Sequence, residues 1–259
     1  MALKTIRKTE KNVAAIILAA GLGTRMESRK AKVLHELHGR PMVTFVVETA
    51  EKCVKDNIVL VIGNQAETVR KMVSQHSRVS FAIQDDPRGT AHAVLSALPY
   101  LSEDIEQVVI LCGDVPLITA DTILGLINDH VSARRDITVL GSQIDNPKGY
   151  GRILFDENRH VFGIVEESEA TKQQKRIKII NSGTYCVKKD FLFDSLKKIK
   201  PDNIKGEFYL TDIIEIGYKR GKNIGVLIGS NNNEILGINT RQDLKRVENI
   251  MKNRSSKKS

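Results

Sequence analysis

Short apolar runs closed by glycine or polar residues alternate along the first half of the chain with stretches of three-to-four-residue apolar spacing. Val13–Leu18, Ile58–Ile62, Val79–Ile83, Val108–Leu111 and Ile137–Leu140 read as strands, most of them apolar throughout, as strands buried on both faces are. Between the first two, residues 42–54 put Met42, Phe45, Val46, Thr49 and Cys53 on one helical face behind Pro41. Residues 65–75, 89–97 and 119–131 are expected helices, the second stopped by Pro99 and the third capped by Thr119. Strands alternating with helices over residues 13–140 predict a mostly parallel, three-layer α/β unit.

The pattern changes after Leu140. Residues 151–155, 161–165, 177–180 and 183–187 read as strands with no helices between them. The charged, glutamine-rich stretch 166–176 reads as an exposed arm. These strands are expected as antiparallel additions laid beside the first sheet. Helical spacing returns at 191–199 and 210–218, a strand at 224–228 and a closing helix at 243–251. No interdomain linker and no internal repeat stands out, and no hexapeptide periodicity signals a β-helix. One folded unit over residues 12–252 is expected, with a nucleotide-binding half at 12–140 and a sugar-binding half at 141–240.

Charge adds little to this picture. The formal net charge is +9, but residues 1–11 carry four Lys/Arg against one Glu and residues 245–259 six against one Glu. The excess therefore sits on two basic tails, expected at 1–11 and 253–259, and not on a clustered surface with aromatics or a known nucleic-acid motif. Nucleic-acid binding is not expected. No apolar run reaches the length of a membrane helix, and the opening MALKTIRKTEKN lacks the core of a signal peptide. The three cysteines are widely spaced without a C-x-x-C pair, which fits a cytoplasmic setting.

Candidate chemistry concentrates in residues 13–41, VAAIILAAGLGTRMESRKAKVLHELHGRP. A strand that breaks into Ala19-Ala20-Gly21-Leu22-Gly23-Thr24 offers backbone N–H groups and room for close approach, as a phosphate requires. Arg25 and Lys32 follow within reach of phosphate charge. The dinucleotide fingerprint is excluded, because Met26 occupies its third glycine position and no acidic residue follows about 20 positions on. A Walker A loop is excluded by the lack of Gly-Lys-Ser/Thr. A second signal is Cys112-Gly113-Asp114-Val115-Pro116-Leu117. Its aspartate follows a buried strand, where open α/β sheets bind ligands, and offers the hard oxygen that Mg2+ prefers.

Leu18-Ala19-Ala20-Gly21-x-Gly23-Thr24-Arg25-Met26, with Lys32-Val33-Leu34-His35 and Gly39-Arg40-Pro41-Met42, resembles the nucleotidyltransferases that make nucleotide sugars. Among them it is most similar to the uridyltransferase part of bacterial UDP-N-acetylglucosamine pyrophosphorylases, over roughly residues 12–252. The resemblance implies a Rossmann-like nucleotide-diphospho-sugar transferase fold, Mg2+ as cofactor, and UTP and N-acetyl-α-D-glucosamine 1-phosphate as substrates.

Carried over position by position, Leu18, Ala20 and Gly21 would line the uracil and ribose, and Gly23, Thr24 and Arg25 would hold the triphosphate. Lys32 would hold the reacting phosphates. Gln84, Gly89 and Thr90 match the uracil-recognition segment, where an amide can pair with a pyrimidine edge. His92 is expected to pack on its helix. Gly113 and Asp114 match the metal segment, and Asn239 the second metal ligand. Gly151, Glu166 and Asn181 would face the sugar, and Glu207, in Gly206-Glu207-Phe208-Tyr209-Leu210-Thr211-Asp212, would shape the acetyl pocket.

Three departures stand out. The residue before the phosphate lysine is usually proline and here is Ala31, which is expected to loosen the loop carrying Lys32. Cys112 stands where tyrosine is frequent. The acetyltransferase β-helix of the bifunctional relatives is not part of the resemblance, so acetyl transfer and the trimer built through it are not implied. A monomer and a separate acetyltransferase are compatible with the sequence. Alternatives within the fold are glucose or N-acetylgalactosamine 1-phosphate as acceptor, or another nucleotide. Outside it stands a non-catalytic sugar-nucleotide-binding protein, against which the joint presence of Arg25, Lys32, Asp114 and Asn239 argues.

Overall fold

The structure is a computed structural model describing residues 12–256. The basic stretch 1–11 lies outside the described residues. Elements follow in chain order as β1 (Val13–Leu18), the two-residue hairpin strands β2 (Glu36–Leu37) and β3 (Arg40–Pro41), α1 (Met42–Val54), β4 (Ile58–Ile62), α2 (Ala66–Ser74), β5 (Ser80–Ile83), α3 (Thr90–Ala97), β6 (Gln107–Cys112), α4 (Ala120–Ser132) and β7 (Ile137–Gln143). The second half holds β8 (Arg152–Phe155), β9 (Val161–Val165), β10 (Ile179–Lys188), α5 (Lys189–Leu196), α6 (Asp212–Lys219), β11 (Ile224–Ile228) and α7 (Arg241–Ser256). None of these helices is long and apolar enough to cross a membrane.

The main sheet runs β11-β7-β10-β6-β1-β4-β5, with β8 pairing β10 and β9. β1 is central and pairs in parallel with β4 on one side and β6 on the other. A central parallel strand has no solvent face, which is why Val13–Leu18 is apolar at every position. One face packs α1, α2 and α4 through residues such as Val46, Val69 and Leu126. The opposite face packs α3, α5 and α6 through Val94, Leu192 and Ile213.

Two expectations are corrected here. The strands expected at 177–180 and 183–187 are one continuous strand, β10, which begins at Ile179 and whose register shifts between Asn181 and Tyr185. Gly183 sits at the shift with φ 80°, so a bulge interrupts the alternation that a continuous strand would show. β10 is also not laid beside the first sheet. It lies antiparallel between β6 and β7 and so separates two strands expected within one parallel series. In addition, the closing helix runs beyond the expected end at residue 251 to Ser256, taking residues 253–256 out of the expected tail. Arm 166–176 is exposed at Thr171–Gln173 and Lys175–Arg176, with Gln174 half-buried, and is seated by buried Ala170.

His130 on α4 is fully enclosed, its Nδ1 2.9 Å from Thr138 Oγ1 and its Nε2 3.0 Å from Gln107 Oε1. Burial, followed by the Lys188 and Arg135 charges, pushes its pKa down to about 4. The unfolded chain protonates near the ordinary histidine value, so the contribution is complete above that value and is lost as pH falls toward 4. Between pH 7 and pH 4.5 this site should remove about 2–3 kcal/mol of stability. His130→Gln should flatten that part of a denaturant-midpoint-against-pH curve, and an unchanged slope would refute the assignment.

Candidate active site

From β1 the strand order runs outward through β4 to β5 and then crosses back to β6 on the other side of β1, so the carboxyl ends of β1 and β6 form the switch point at which open α/β sheets leave a crevice. A cleft of about 420 Å³ occupies it, lined by Leu18, Ala20, Gly21, Gly23, Thr24, Lys32, Gln84, Gly89, Thr90, Asp114 and Glu207. Its walls also include Ala19, Leu22, Val33, Pro87, Ala93 and Cys112. Segments distant in sequence therefore meet at one opening.

The glycine loop leaves β1 through Ala19, whose N–H donates to Val61 O at 2.8 Å. Gly23 turns the chain with φ 64°, and a Cβ there would lie 2.4 Å from Lys32 Cβ. Glycine is thus required both by the left-handed backbone and by the approach of the lysine stem. Met26 closes the loop by burying completely in a cluster with Leu37, Met42, Leu117, Ile238 and Val247. Arg241, from the start of α7, donates to Met26 O and Glu27 O at 3.4 and 3.3 Å.

Four of the expected site residues form one polar knot. Asn239 Oδ1 accepts from Arg25 Nη2 and Lys32 Nζ, each at 2.9 Å, while Lys32 also forms an ion pair with Asp114. Asp114 and Asn239 are brought together by their main chains: Ile238 N–H donates to Asp114 O at 2.9 Å. A capping box then frees the Asn239 side chain, because Asp243 Oδ2 accepts from the Asn239 and Thr240 N–H groups and Asp243 N–H returns to Thr240 Oγ1. The donor set for a divalent cation is one carboxylate and one amide oxygen, already gathered around a cationic ammonium. That suits Mg2+, which takes few protein ligands and completes its shell with water and phosphate. Among the described residues no cluster of three or more His, Cys, Asp or Glu forms a metal cage.

On the opposite wall, Gln84 is buried at the end of β5. Its Nε2 donates to Gly89 O at 3.1 Å and lies 3.0 Å from His92 Nδ1. His92, expected only to pack, therefore orients the amide. The loop bearing Gly89 is joined to the segment bearing Glu207 by Phe208 N–H to Arg88 O at 2.8 Å and Ala91 N–H to Phe208 O at 2.9 Å. Thr90 Oγ1 accepts from Leu210 N–H at 3.0 Å.

Gly151, Glu166 and Asn181 gather in a second group. Asn181 N–H donates to Gly151 O at 2.9 Å, and a Cβ on Gly151 would come within 3.5 Å of Glu166 Oε2. Glu166 Oε1 accepts from Thr211 Oγ1 at 3.4 Å, and burial raises its pKa from the ordinary glutamate value. Asn181 Nδ2 donates to Tyr185 Oη at 2.7 Å and its Oδ1 accepts from Gly183 N–H at 3.0 Å. This group abuts the cleft through Cys112, whose Sγ lies 3.5 Å from Gly183 O. Burial, with Asp114 adding, pushes the Cys112 thiol up to about 12, which rules out a thiolate at neutral pH.

Sequence reading missed Tyr185, Thr211 and His92 as supports and Gln65 as a partner of Ala31. Thr240-x-x-Asp243 was a readable signal for the cap that frees Asn239. The others are side-chain contacts between separate elements and leave no local signature.

The MobA-like NTP transferase domain family matches residues 15–177. The chain belongs to that family. The bifunctional protein GlmU of Heliobacterium modesticaldum is 43% identical to this chain over 244 residues, covering 94% of this chain and 53% of its own. The GlmU of Geotalea uraniireducens is 44% identical over 250 residues, covering 95% of this chain and 54% of its own. That of Desulfotalea psychrophila is 38% identical over 250 residues, covering 96% and 74%. The chain thus spans about half the length of most of the curated GlmU proteins it matches. A solved Bacillus anthracis chain assigned as a glucose-1-phosphate thymidylyltransferase, in complex with a sucrose, superposes with a TM-score of 0.73 at 23% identity. It covers 92% of this chain and 94% of its own, and the likeness shows the family's fold.

Proposed function

We propose that the cleft transfers a uridylyl group from UTP to N-acetyl-α-D-glucosamine 1-phosphate, giving UDP-N-acetylglucosamine and pyrophosphate. The observation that carries this reading is the convergence of Arg25, Lys32, Asp114 and Asn239 beside a glycine loop and a buried amide. The choice of nucleotide and sugar comes from the motif resemblance at Lys32, Gln84, Glu166, Asn181 and Glu207, and the 43–44% identity to GlmU proteins over most of this chain supports it.

The attacking group is a phosphate monoester oxygen, already anionic, so no protein nucleophile is required. It forms a bond to the α-phosphorus of UTP as the bond to the β-phosphate oxygen breaks, and the electron pair leaves with pyrophosphate. The chain's work is alignment and charge neutralisation. Backbone N–H groups of the glycine loop and the Arg25 and Lys32 cations hold the triphosphate, while Gly151, Glu166, Asn181 and Glu207 hold the sugar. Asp114 and Asn239 would hold Mg2+, which when bound supplies positive charge to the phosphate oxygens. No two of the three cysteines form a disulfide, which fits a reducing cytoplasmic setting.

Gln84 provides the base selection. With its amide nitrogen engaged by Gly89 and His92, the amide oxygen is left to accept from uracil N3–H. Cytosine presents an acceptor at that position and would leave both groups unpaired.

Pyrophosphate release should be measured with UTP, CTP, dTTP and GTP against the 1-phosphates of N-acetylglucosamine, glucose and N-acetylgalactosamine. UTP with N-acetylglucosamine 1-phosphate should have the highest kcat/KM, and preference for another pair would overturn the substrate assignment. Gln84→Ala should reduce the preference for UTP over CTP about tenfold, and a preserved ratio would remove Gln84 from base recognition.

A further inference from the structure

Ala31 is expected to loosen the loop that carries Lys32, yet the residue is held at both its side chain and its backbone. Its methyl group is buried with Val33 and Leu34 in the core beside α1 and α2. Its N–H donates to Gln65 Oε1 at 3.1 Å, and the same amide's Nε2 donates to Arg29 O at 2.6 Å. One side chain thus bridges both ends of the Arg29–Ala31 segment, which has no strand pairing of its own.

Gln65 reaches this position from the turn between β4 and α2 with φ 55° and ψ 39°. Left-handed backbone is unfavourable for a residue with a Cβ and persists where other contacts over-determine it. The two amide bonds to residues 29 and 31 are such contacts.

The bridge acts directly on the lysine. Ala31 precedes the 3-10 turn Lys32–Leu34, and Leu34 N–H returns to Ala31 O at 3.0 Å. The Lys32 stem packs against Gly23, so a shift of Ala31 carries through to the glycine loop and to the Asp114 and Asn239 contacts. Ala31 itself has φ −54°, inside the range a proline ring imposes.

We propose that Gln65 is a positioning residue for Lys32, its amide fixing residues 29–31 in the conformation that a proline at position 31 would enforce covalently. The inference rests on the reading of Lys32 as a holder of the reacting phosphates. It requires that proline and the glutamine amide be alternatives. A ring Cδ at position 31 occupies the direction of the N–H and would meet Gln65 Oε1, so Ala31→Pro fits only when that amide is gone.

The test is a double-substitution cycle assayed by pyrophosphate release at saturating UTP and N-acetylglucosamine 1-phosphate, with thermal unfolding alongside. Gln65→Ala should lower kcat about fivefold to tenfold, through the loss of two hydrogen bonds that order the loop, one part-buried and one exposed. Because Gln65 is exposed, Tm should change little. Ala31→Pro alone should also lower kcat, while the double variant Ala31→Pro/Gln65→Ala should return to within about twofold of the parent, since the ring then fixes φ with no amide to oppose it. Gln65→Gly should keep or raise Tm, because glycine accepts the left-handed backbone, and still lose kcat; a merely structural glutamine would not separate the two. A kcat unchanged in Gln65→Ala, or a double variant no faster than Gln65→Ala, would overturn the proposal. Lys32→Ala run in parallel should lose most activity. If it retains the parent's kcat, the phosphate role of Lys32 fails instead, a result distinct from failure of the clamp.

Discussion

Asp114→Ala is expected to lower kcat by on the order of 10³-fold or more, with the fold retained. The carboxylate is one of two oxygen donors at the polar knot and the anionic partner of Lys32. Its removal takes away the group that would hold Mg2+ and lets the Lys32 ammonium settle on Asn239 alone. The backbone bond from Ile238 N–H to Asp114 O does not depend on the side chain, so the approach of the two segments should survive. Pyrophosphate release across an Mg2+ titration, with circular dichroism as the control for folding, checks this. Substantial Mg2+-dependent turnover in a folded Asp114→Ala protein would remove Asp114 from the metal site.

Gly89→Ala should damage the opposite wall about as severely, by a different route. The backbone at Gly89 has φ 114° and ψ 174°, a region open essentially to glycine alone. The new Cβ would stand 2.6 Å from Phe208 O and 2.7 Å from Phe208 N, the two atoms that dock the base-side loop onto the sugar-side segment. Strain and wedge together should cost about 3 kcal/mol, or roughly 5–10 °C in Tm. Displacing Gly89 O also releases Gln84 Nε2, so KM for UTP should rise at least about tenfold. A lower Tm with an unchanged KM would show that this junction supports the fold without shaping the base pocket.

Much of the first half was legible because parallel strands buried on both faces must be continuously apolar. Residues 58–62 and 108–111 announce themselves by composition alone, and α1 falls on residues 42–54 as its spacing predicts. β10 was less legible: Asn181 and Ser182 interrupt its apolar run and Gly183 breaks its period. The bulge sets Gly183 against Cys112 on the wall of the cleft and lets Asn181 Oδ1 accept from Gly183 N–H, so the local inconsistency falls at the edge of the cleft. The glycine loop, Lys32 and Asp114 could be read from motif and strand-end placement. Asn239 came from resemblance, and the structure adds the capping box that releases its side chain. The hydrogen bond at Ala31 was not legible because its partner lies 34 residues away, on a glutamine whose left-handed backbone no local pattern foretells.

The burial of Met26 has a consequence for how the protein is made. A loop completed within the first thirty residues is closed by Ile238, Val247 and Arg241, more than two hundred positions later. On the ribosome, β1 and its glycine turn emerge long before the helix that seats them, so the loop's N–H groups lack their final arrangement until residue 247 has been made. Chains interrupted before residue 241 would carry the whole glycine motif and most of the sheet without the cluster that closes the loop. The closed form of the glycine loop is thereby tied to α7, an element made more than two hundred residues after it.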